Sequence, residues 1–241
     1  MAGKRALIIG SSGGIGGALV DALDASGDFE RIYAASRQPP GRARNSIYPL
    51  TIDILDESIM AAAAAEISRE GLLDLVIVAS GLLHRDAAIR PEKSFRQIDA
   101  ASLTELLAVN SIGPALAAKH FLPLLAVDRR AVIAFLSARV GSIGDNRLGG
   151  WHGYRASKAA LNALVRCFSI ELVRSNPEAI AVALHPGTVD TRLSAPFQAR
   201  LRPGSLFSAR ESAAHLLAVI GQLSPAESGG LFGWDGRRIP Y

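Results

Sequence analysis

The sequence predicts a single α/β domain, doubly wound, with a mostly parallel sheet of about seven strands. Two observations predict this class. Apolar segments of strand length alternate along the chain with longer segments whose apolar residues recur at helical spacing. The strand segments are apolar throughout, which is typical of parallel strands buried on both faces. No run rich in Pro, Gly or Ser divides the 241 residues, so one domain is expected over 1–241.

The individual elements follow in chain order from these patterns. Strands are predicted at 5–9, 32–35, 47–52, 74–79, 131–136, 180–184 and, at an edge of the sheet, 230–233. Helices are predicted at 15–25, 56–70, 99–125, 153–175 and 211–222. Two irregular stretches, 137–152 and 186–207, each follow a predicted strand. Ligands bind outside the carboxyl ends of parallel strands, so both stretches are expected at that edge.

Composition excludes several classes of protein. Hydrophobic residues make up 49% of the chain and charged residues 20%, which argues against a disordered protein. The net charge is only +4 and the basic residues are scattered, so no nucleic-acid partner is expected. Cys167 is the single cysteine and the histidines lack zinc spacing, so no metal site is expected. No apolar run reaches membrane-spanning length, which predicts a cytoplasmic protein without a membrane partner.

A glycine-rich loop lies between the first predicted strand and the first helix. Gly10, Gly14 and Gly16 have the spacing G-x-x-x-G-x-G, and Ser12 and Ile15 lie within the same loop. Glycine permits a tight turn and close approach of the backbone to a pyrophosphate, whose charge the helix N-terminus can bind. These five residues are therefore candidate cofactor contacts. The alternative is a glycine-rich turn without a ligand.

The end of the second strand favours NADP(H) over NAD(H). An acidic residue there would bind the ribose hydroxyls of NAD, but the strand ends at Ser36 and Arg37. A planar guanidinium suits a 2′-phosphate, because it can bind two oxygens at once. Asp53, after the third strand, is a candidate acceptor from the adenine amine, or alternatively a turn or cap residue. Ile54 beside it is a further candidate contact.

Tyr154 and Lys158 are four residues apart in a predicted helix, so their side chains share one face. A nearby cation favours phenolate and lowers the pKa of a tyrosine. A lowered pKa suits acid–base catalysis near neutral pH. The alternative is an ordinary surface pair, because this spacing often arises by chance.

Several motifs occur in the order typical of one family: the glycine loop, Asn110, the Tyr154–Lys158 pair, and then 185–187. Together they resemble the short-chain dehydrogenase/reductase family over essentially the whole chain. The segments 140–162 and 235–241 are similar to its C-factor-like branch, which includes C-signal and sniffer-type carbonyl reductases. The resemblance implies a Rossmann-type fold and hydride transfer between NADP(H) and a small carbonyl or alcohol substrate. It also implies a homodimer or homotetramer.

The resemblance implies roles for single residues. Tyr154 would be the proton donor or acceptor, and Lys158 would bind the nicotinamide ribose and lower the Tyr154 pKa. Asn110 would hold a water in a proton relay. Further cofactor contacts are implied near the ends of two strands, at Ala79, Gly81, Pro186, Gly187, Val189 and Thr191.

The chain departs from the family pattern at one catalytic position. The pattern has a serine three residues before Gly141, where this chain has Ala138. Ser137 stays a candidate catalytic residue, although successive strand residues face opposite sides and a local bulge would be required. Ser142 is another candidate hydroxyl. Three readings stay open: a neighbouring hydroxyl substitutes, the enzyme is slow and uses Tyr154 alone, or the protein is a cofactor-binding signalling or regulatory protein with weak or no turnover.

The predicted loops around the site are mainly apolar, which favours a hydrophobic aldehyde or ketone. The candidate substrate contacts are Leu82, Leu83, His84, Arg139, Trp151, Leu193, Phe197 and Phe207. Residues 192–207 are expected to form a lid that orders on binding.

Overall fold

Residues 3–39, 46–85, 88–201 and 204–241 are described by the computed structural model. The strands are β1 (Lys4–Ile9), β2 (Phe29–Ser36), β3 (Ile47–Thr51), β4 (Leu75–Val78), β5 (Val132–Leu136), β6 (Ile180–His185), β7 (Thr188–Val189), β8 (Leu206–Phe207), β9 (Leu231–Gly233) and β10 (Arg238–Ile239). The α-helices are α1 (Gly14–Ser26), α2 (Glu57–Ser68), α3 (Ala100–Leu107), α4 (Gly113–Phe121), α5 (His152–Leu172) and α6 (Ala209–Gln222).

The main sheet has eight strands in the order β10-β9-β6-β5-β4-β1-β2-β3. All neighbours in it are parallel except β10, which is antiparallel to β9. The chain builds outward from β1 to β3 and then returns to place β4 on the other side of β1. The predicted doubly wound α/β class is confirmed, and the switch point between β1 and β4 is where such sheets bind ligands.

Two details of the sheet differ from the expectation. The segment predicted as an edge strand is β9, which lies inside the sheet because β10 pairs with its free side. Strand β10 has only two residues, too short to give a periodic signal. A separate parallel pair, β7 with β8, joins the two ends of the irregular stretch after β6.

The long predicted helical segment is interrupted. Residues Ala108–Ile112 form a π-helical turn between α3 and α4, and Leu122–Leu124 form a 3₁₀ turn at the end. Pro114 has no N–H, so the ladder bond to the carbonyl of Asn110 is missing. Single π turns inside α-helices often occur at functional sites. Apolar periodicity does not reveal such a turn.

The whole segment Ala100–Leu124 is long and apolar enough to cross a membrane, with a mean hydropathy of 1.2 over its most apolar window. It is the single such helix within the described ranges. Its residues Ala117, Ala118 and Phe121 are completely buried in the core beside the sheet. About a third of the apolar window is buried, so the segment packs on the sheet with one face. Length and composition alone are weak evidence for a membrane span.

The core has two layers, one on each face of the sheet. Leu7 and Ile9 of β1 pack on the side of α2, α4 and α5, whereas Ala6 and Ile8 pack on the side of α1 and α6. Each fully buried leucine or isoleucine side chain stabilises the fold by roughly 1.5–3 kcal/mol. Because both faces are covered, the carboxyl edge of the sheet is left to form a site.

Candidate active site

Two cavities open along the carboxyl edge of the sheet. The first, here the glycine-loop cleft, is lined by residues that follow β1, β2, β3 and β4. The second, here the tyrosine pocket, has a volume of about 300 Å³ and is lined by residues that follow β5 and β6 and by the start of α5. The predicted position of both irregular stretches at this edge agrees with the structure.

The glycine loop turns tightly enough to exclude side chains. Gly10 has a φ of +95°, a conformation that favours glycine. A Cβ on Gly16 would lie 2.1 Å from the carbonyl oxygen of Gly10. A Cβ on Gly14 would lie 2.9 Å from Cγ2 of Thr191. The loop therefore contacts the segment after β6, and Ile15 lines the tyrosine pocket.

The N-terminus of α1 is available to an anion. Gly13 is its N-cap and offers no side-chain hydrogen bond, and the first turn holds no acidic residue. The first N–H groups of a helix have no partner within the helix, and together with the helix dipole they attract negative charge. The start of α1 thus has the properties that the sequence predicted for phosphate binding.

Buried hydroxyls without partners lie around the cleft. Ser36 is 4% exposed, and among the described residues nothing bonds to its Oγ. The same holds for Oγ of Ser11 and Ser80. An unpaired buried polar group costs about 1–3 kcal/mol, so such groups point to a polar ligand. Arg37 is exposed beside Ser36 on the same cleft.

Other predicted cofactor contacts also lie on this cleft. They are Ser12, Asp53, Ile54, Ala79 and Gly81. Oδ1 of Asp53 accepts a hydrogen bond of 3.0 Å from the N–H of Leu55. The carboxylate therefore stabilises a turn, which is the alternative the sequence left open, and one of its oxygens remains for a ligand.

The tyrosine pocket is mainly apolar. Leu83, Val140, Trp151, Leu193 and Phe197 line it together with the polar residues Arg139 and His185. Three predicted substrate contacts lie elsewhere. Leu82 is on the glycine-loop cleft, His84 packs on Phe197 from outside, and Phe207 packs on Trp234 with ring centroids 4.6 Å apart.

The predicted lid carries two short regular elements, a 3₁₀ helix at Ala195–Arg200 and strand β8. Residues 202 and 203 lie outside the described residues. Nε2 of His84 is 3.1 Å from the carbonyl oxygen of Arg192, and Phe197 packs on Trp151 at 5.0 Å. Ordering of this segment on binding stays a prediction.

Tyr154 and Lys158 lie together near the start of α5. They are 7% and 3% exposed, and Nζ of Lys158 is 5.9 Å from the centroid of the Tyr154 ring. Nζ donates a hydrogen bond of 2.8 Å to the carbonyl oxygen of Leu136. Helical spacing does bring the two side chains to one face, and β5 supplies the acceptor that orients the lysine.

The ionisation of this pair differs from the expectation. Burial raises the pKa of Tyr154 above its ordinary value and lowers the pKa of Lys158 to about 7. We expected Lys158 to lower the Tyr154 pKa, but the shift is caused by burial, which raises it. The phenol is therefore protonated at neutral pH, the form that can donate a proton.

Asn110 is completely buried in the π turn. Its Nδ2 donates to the carbonyl oxygen of Leu82 at 2.7 Å and to Oγ of Ser157 at 3.0 Å, while its Oδ1 accepts from the N–H of Leu82 at 2.8 Å. A Cβ on Gly81 would lie 3.6 Å from Asn110 Oδ1 and 3.8 Å from Lys158 Nζ. The asparagine thus ties the end of β4 to α5 beside the lysine.

The candidate hydroxyls near Ala138 already have partners. Ser137 lines the pocket, but its Oγ lies 2.7 Å from Asn162 Oδ1 and donates to it. Oγ of Ser142 accepts from the N–H of Asp145 at 3.0 Å. Ala138 packs with Tyr154 in a small apolar cluster. In this geometry the Ser137 proton is directed at Asn162, and a catalytic use of Ser137 stays a prediction.

The segment after β6 connects the two cavities. Pro186, Gly187, Val189 and Thr191 all line the tyrosine pocket. Gly187 has a φ of +81°, and a Cβ there would lie 2.8 Å from the ring of Phe207. With Thr191 against the glycine loop, this segment occupies the junction where the resemblance predicted cofactor contacts.

Sequence reasoning missed Glu92, which holds the start of α5. Its carboxylate accepts a hydrogen bond of 3.1 Å from the N–H of Gly153, and its carbonyl oxygen accepts one of 2.6 Å from Trp151. Trp151 has a φ of +52°, a strained conformation for a side-chain-bearing residue. Its indole packs on Tyr154 with centroids 6.3 Å apart. No local pattern links a glutamate to a helix that begins sixty residues later.

Comparison with known proteins agrees with this geometry. A family model described as short chain dehydrogenase matches residues 4–202. The C-signal protein of Myxococcus xanthus is 34% identical over 145 residues, covering 60% of this chain and 81% of that protein. The 1-hydroxy-2-glutathionyl-2-methyl-3-butene dehydrogenase of Rhodococcus sp. (strain AD45) is 31% identical over 193 residues, 79% of this chain and 78% of that one.

A solved structure shows the same fold over the full length. The NADPH-bound carbonyl reductase from chicken fatty liver superposes with a TM-score of 0.86 at 28% identity and covers 100% of both chains. The resemblance inferred from the motifs is confirmed: the chain belongs to the short-chain dehydrogenase family of oxidoreductases.

Proposed function

We propose that this protein is an NADP(H)-dependent reductase of small, mainly apolar carbonyl compounds. The observation that carries the proposal is the position of Tyr154 and Lys158. Both are buried: Tyr154 lines the apolar tyrosine pocket with its phenol protonated, and Nζ of Lys158 lies 3.8 Å from the position that a Cβ on Gly81 would take, and Gly81 lines the glycine-loop cleft. Similarity to a carbonyl reductase that binds NADPH supports the same reading.

The glycine-loop cleft fits a phosphorylated dinucleotide. The uncapped start of α1 suits the pyrophosphate, and the unpartnered Ser36 hydroxyl beside Arg37 suits a 2′-phosphate. The end of β2 offers no carboxylate to the ribose hydroxyls, which favours NADP(H) over NAD(H). When bound, this cofactor supplies a hydride to the carbonyl carbon of the substrate.

The chain's own residues supply the proton and the positioning. Tyr154 donates its phenolic proton to the carbonyl oxygen, which completes the alcohol. Lys158, fixed by the Leu136 carbonyl, binds the nicotinamide ribose and, when charged, favours the phenolate left behind. Asn110 fixes the backbone around Gly81. Because Pro114 has no N–H to donate, the backbone carbonyl oxygen of Asn110 can accept a hydrogen bond from a water of the proton relay.

Size and lining of the tyrosine pocket define the substrate class. A cavity of about 300 Å³ with walls of Leu83, Val140, Trp151 and Phe197 accommodates a small aldehyde, ketone or quinone. We propose one domain over 1–241, a cytoplasmic homodimer or homotetramer, and no nucleic-acid or membrane partner, on the grounds of composition and family resemblance.

A second candidate function rests on Ala138. Without a hydroxyl at this position, the protein could bind NADP(H) as a signalling or regulatory protein and turn over little or no substrate. Similarity to the C-signal protein is compatible with this reading as well. Cofactor binding is common to both candidates, so only turnover separates them.

The deciding experiment follows NADPH oxidation by the purified protein over a panel of aldehydes, ketones and quinones. NADPH affinity is measured separately by calorimetry. Binding together with oxidation of NADPH by at least one carbonyl class is the expected result. Tight binding without oxidation across the panel would contradict the reductase proposal and favour the regulatory one.

A further inference from the structure

His185 lies on the tyrosine pocket without a function assigned to it so far. It is the last residue of β6 and is paired with Gly233 on one side. On the other side, the N–H of Ser137 donates to the carbonyl oxygen of Leu184, which places His185 beside the end of β5. Tyr154, Ala138 and His185 line the same cavity.

The His185 imidazole has an unsatisfied nitrogen. His185 is half-buried as a whole, but its Nδ1 is shielded from solvent without a hydrogen-bond partner in the part of the chain that the structure describes. Leaving a buried polar atom unpaired costs about 1–3 kcal/mol. Ser137, its neighbour on the adjacent strand, is by contrast fully engaged with Asn162.

The ring is neutral under physiological conditions. Burial lowers the His185 pKa to about 4; the charge of Arg139 also lowers it, and Asp235 acts in the opposite direction. A neutral imidazole carries one N–H donor and one acceptor nitrogen. It can therefore donate a hydrogen bond at neutral pH without releasing a proton.

Carbonyl reduction needs such a donor at this place. Negative charge develops on the substrate oxygen as the hydride arrives, and preorganised donors aimed at that oxygen stabilise it. Ala138 cannot donate, and the Ser137 hydroxyl donates to Asn162. Ser142 is not among the described residues that line the pocket. Arg139 also lines the pocket, but its guanidinium is half-exposed and pairs with Asp145.

We propose that His185 donates an N–H hydrogen bond to the substrate's carbonyl oxygen, in place of the hydroxyl that Ala138 lacks. The inference rests on the proposed reductase function. His185 keeps its proton throughout: the hydride adds to the carbonyl carbon, and the proton that completes the alcohol comes from Tyr154. His185 only stabilises the oxygen while it carries charge.

The test is a double-mutant cycle between His185→Phe and Ala138→Ser, read as kcat/KM for NADPH-dependent carbonyl reduction. In the natural background, His185→Phe is expected to lower kcat/KM about 100- to 1,000-fold, the usual effect of one lost oxyanion donor. In the Ala138→Ser background the loss should be below about tenfold, because the new hydroxyl supplies the bond. A merely structural histidine would give the same loss in both backgrounds.

Matched variants keep the test independent of folding. His185→Leu repeats the removal with a different shape, and His185→Asn, whose amide can place an N–H near the Nδ1 position, should recover part of the activity. Each variant must keep the wild-type NADPH affinity and melting temperature to be compared. The loss should fall mainly on kcat, because the bond strengthens in the transition state.

The outcomes separate the inference from the function it rests on. Equal losses in both backgrounds, or no loss at all, overturn the role of His185 and leave the reductase intact. If the natural protein binds NADPH but only Ala138→Ser oxidises it, the reductase proposal fails and this inference fails with it. The expected non-additive loss supports both.

Discussion

The glycine-loop cleft and the tyrosine pocket are neighbours but are built differently. The cleft consists of chain segments that follow β1 to β4, and its shape depends on backbone turns at glycines such as Gly10 and Gly16. The pocket combines side chains from distant segments, among them Leu83, Trp151 and Phe197. Backbone shape is thus fixed by a few local residues, whereas side-chain walls vary without disturbing the fold.

The two cavities also differ in how their polar groups are satisfied. Around the cleft, hydroxyls of Ser11, Ser36 and Ser80 are buried without partners among the described residues. In the pocket, the hydroxyls of Ser137 and Ser194 bond to Asn162 and to the Val189 carbonyl oxygen, and Nδ1 of His185 is the unpaired group. The cleft is prepared for a polar ligand held by many hydrogen bonds. The pocket is prepared for an apolar ligand held by few.

If this contrast is correct, removing the phenol of the pocket should abolish chemistry and spare the cleft. Tyr154→Phe is expected to lower kcat about 100- to 10,000-fold, because proton donation to the carbonyl oxygen is lost. The NADPH dissociation constant should stay near the wild-type value. Stopped-flow NADPH oxidation and calorimetry measure the two quantities separately.

Tyr33→Phe is the matched control for this prediction. The Tyr33 hydroxyl donates to Glu70 at 2.5 Å, and Tyr33 lies on β2, three strands from β5 and outside the residues that line either cavity. Its removal should leave turnover unchanged. A Tyr154→Phe protein with wild-type kcat would show that another group supplies the proton.

Removing the charge of Arg37 from the cleft should produce the opposite pattern. Arg37→Ala is expected to raise the NADPH dissociation constant about 10- to 100-fold, since a charge-assisted bond to phosphate contributes about 1.5–3 kcal/mol. NADH affinity and kcat at saturating NADPH should hardly change. Titration with both cofactors gives the ratio directly.

Arg69→Ala provides the control, because Arg69 is an exposed arginine that ends α2, away from the cleft. Equal weakening of NADPH and NADH by Arg37→Ala would contradict a 2′-phosphate contact and would remove the basis for the NADP(H) preference.

The contrast between local backbone turns and side chains from distant segments also decides which features the sequence predicts. The alternating strands and helices, the glycine loop and the Tyr154–Lys158 face all come from short-range patterns, and the structure agrees with them. The cap that Glu92 places on α5 joins segments sixty residues apart, and strand β10 is too short for periodicity. The raised Tyr154 pKa depends on burial by distant residues, which no local motif encodes.

Replacing Glu92 should have an effect of intermediate size on stability and on substrate binding, confined to the tyrosine pocket. Glu92→Ala removes the acceptor of the Gly153 N–H, and a lost helix cap costs about 1–2 kcal/mol of stability. Trp151 should then leave its strained conformation. Because its indole lines the pocket, KM for the carbonyl substrate should rise, whereas NADPH affinity should stay unchanged. Urea unfolding, steady-state kinetics and Trp151 fluorescence in a Trp234→Phe background measure these changes.

Asn176→Ala separates stability from positioning. Asn176 is 2% exposed, and its Nδ2 donates to the carbonyl oxygens of Ala126 and Arg129, outside both cavities. The Asn176→Ala variant should therefore have a lower free energy of unfolding and an unchanged KM for the carbonyl substrate. If Glu92→Ala behaves in the same way, Glu92 contributes only to stability and does not position the pocket.

The smallest effect concerns the charge buried between the two cavities. The folded-state pKa of Lys158 is about 7, against 10.5 as its ordinary value, so the unfolded chain binds more protons above pH 7. Below pH 7 both states are protonated and the burial penalty is fully present. Between about pH 8 and pH 9 the free energy of unfolding of the wild type should rise by about 1 kcal/mol per pH unit relative to Lys158→Met.

Methionine keeps the length of the lysine chain but has no charge to bury, so other titrating groups cancel in the difference between the two proteins. Urea unfolding without cofactor over this pH range measures it. Parallel pH profiles would mean that Lys158 is hydrated enough in the free protein to keep its ordinary pKa. In that case the cation is charged before the cofactor binds, and the phenol of Tyr154 lies closer to ionisation than burial alone allows.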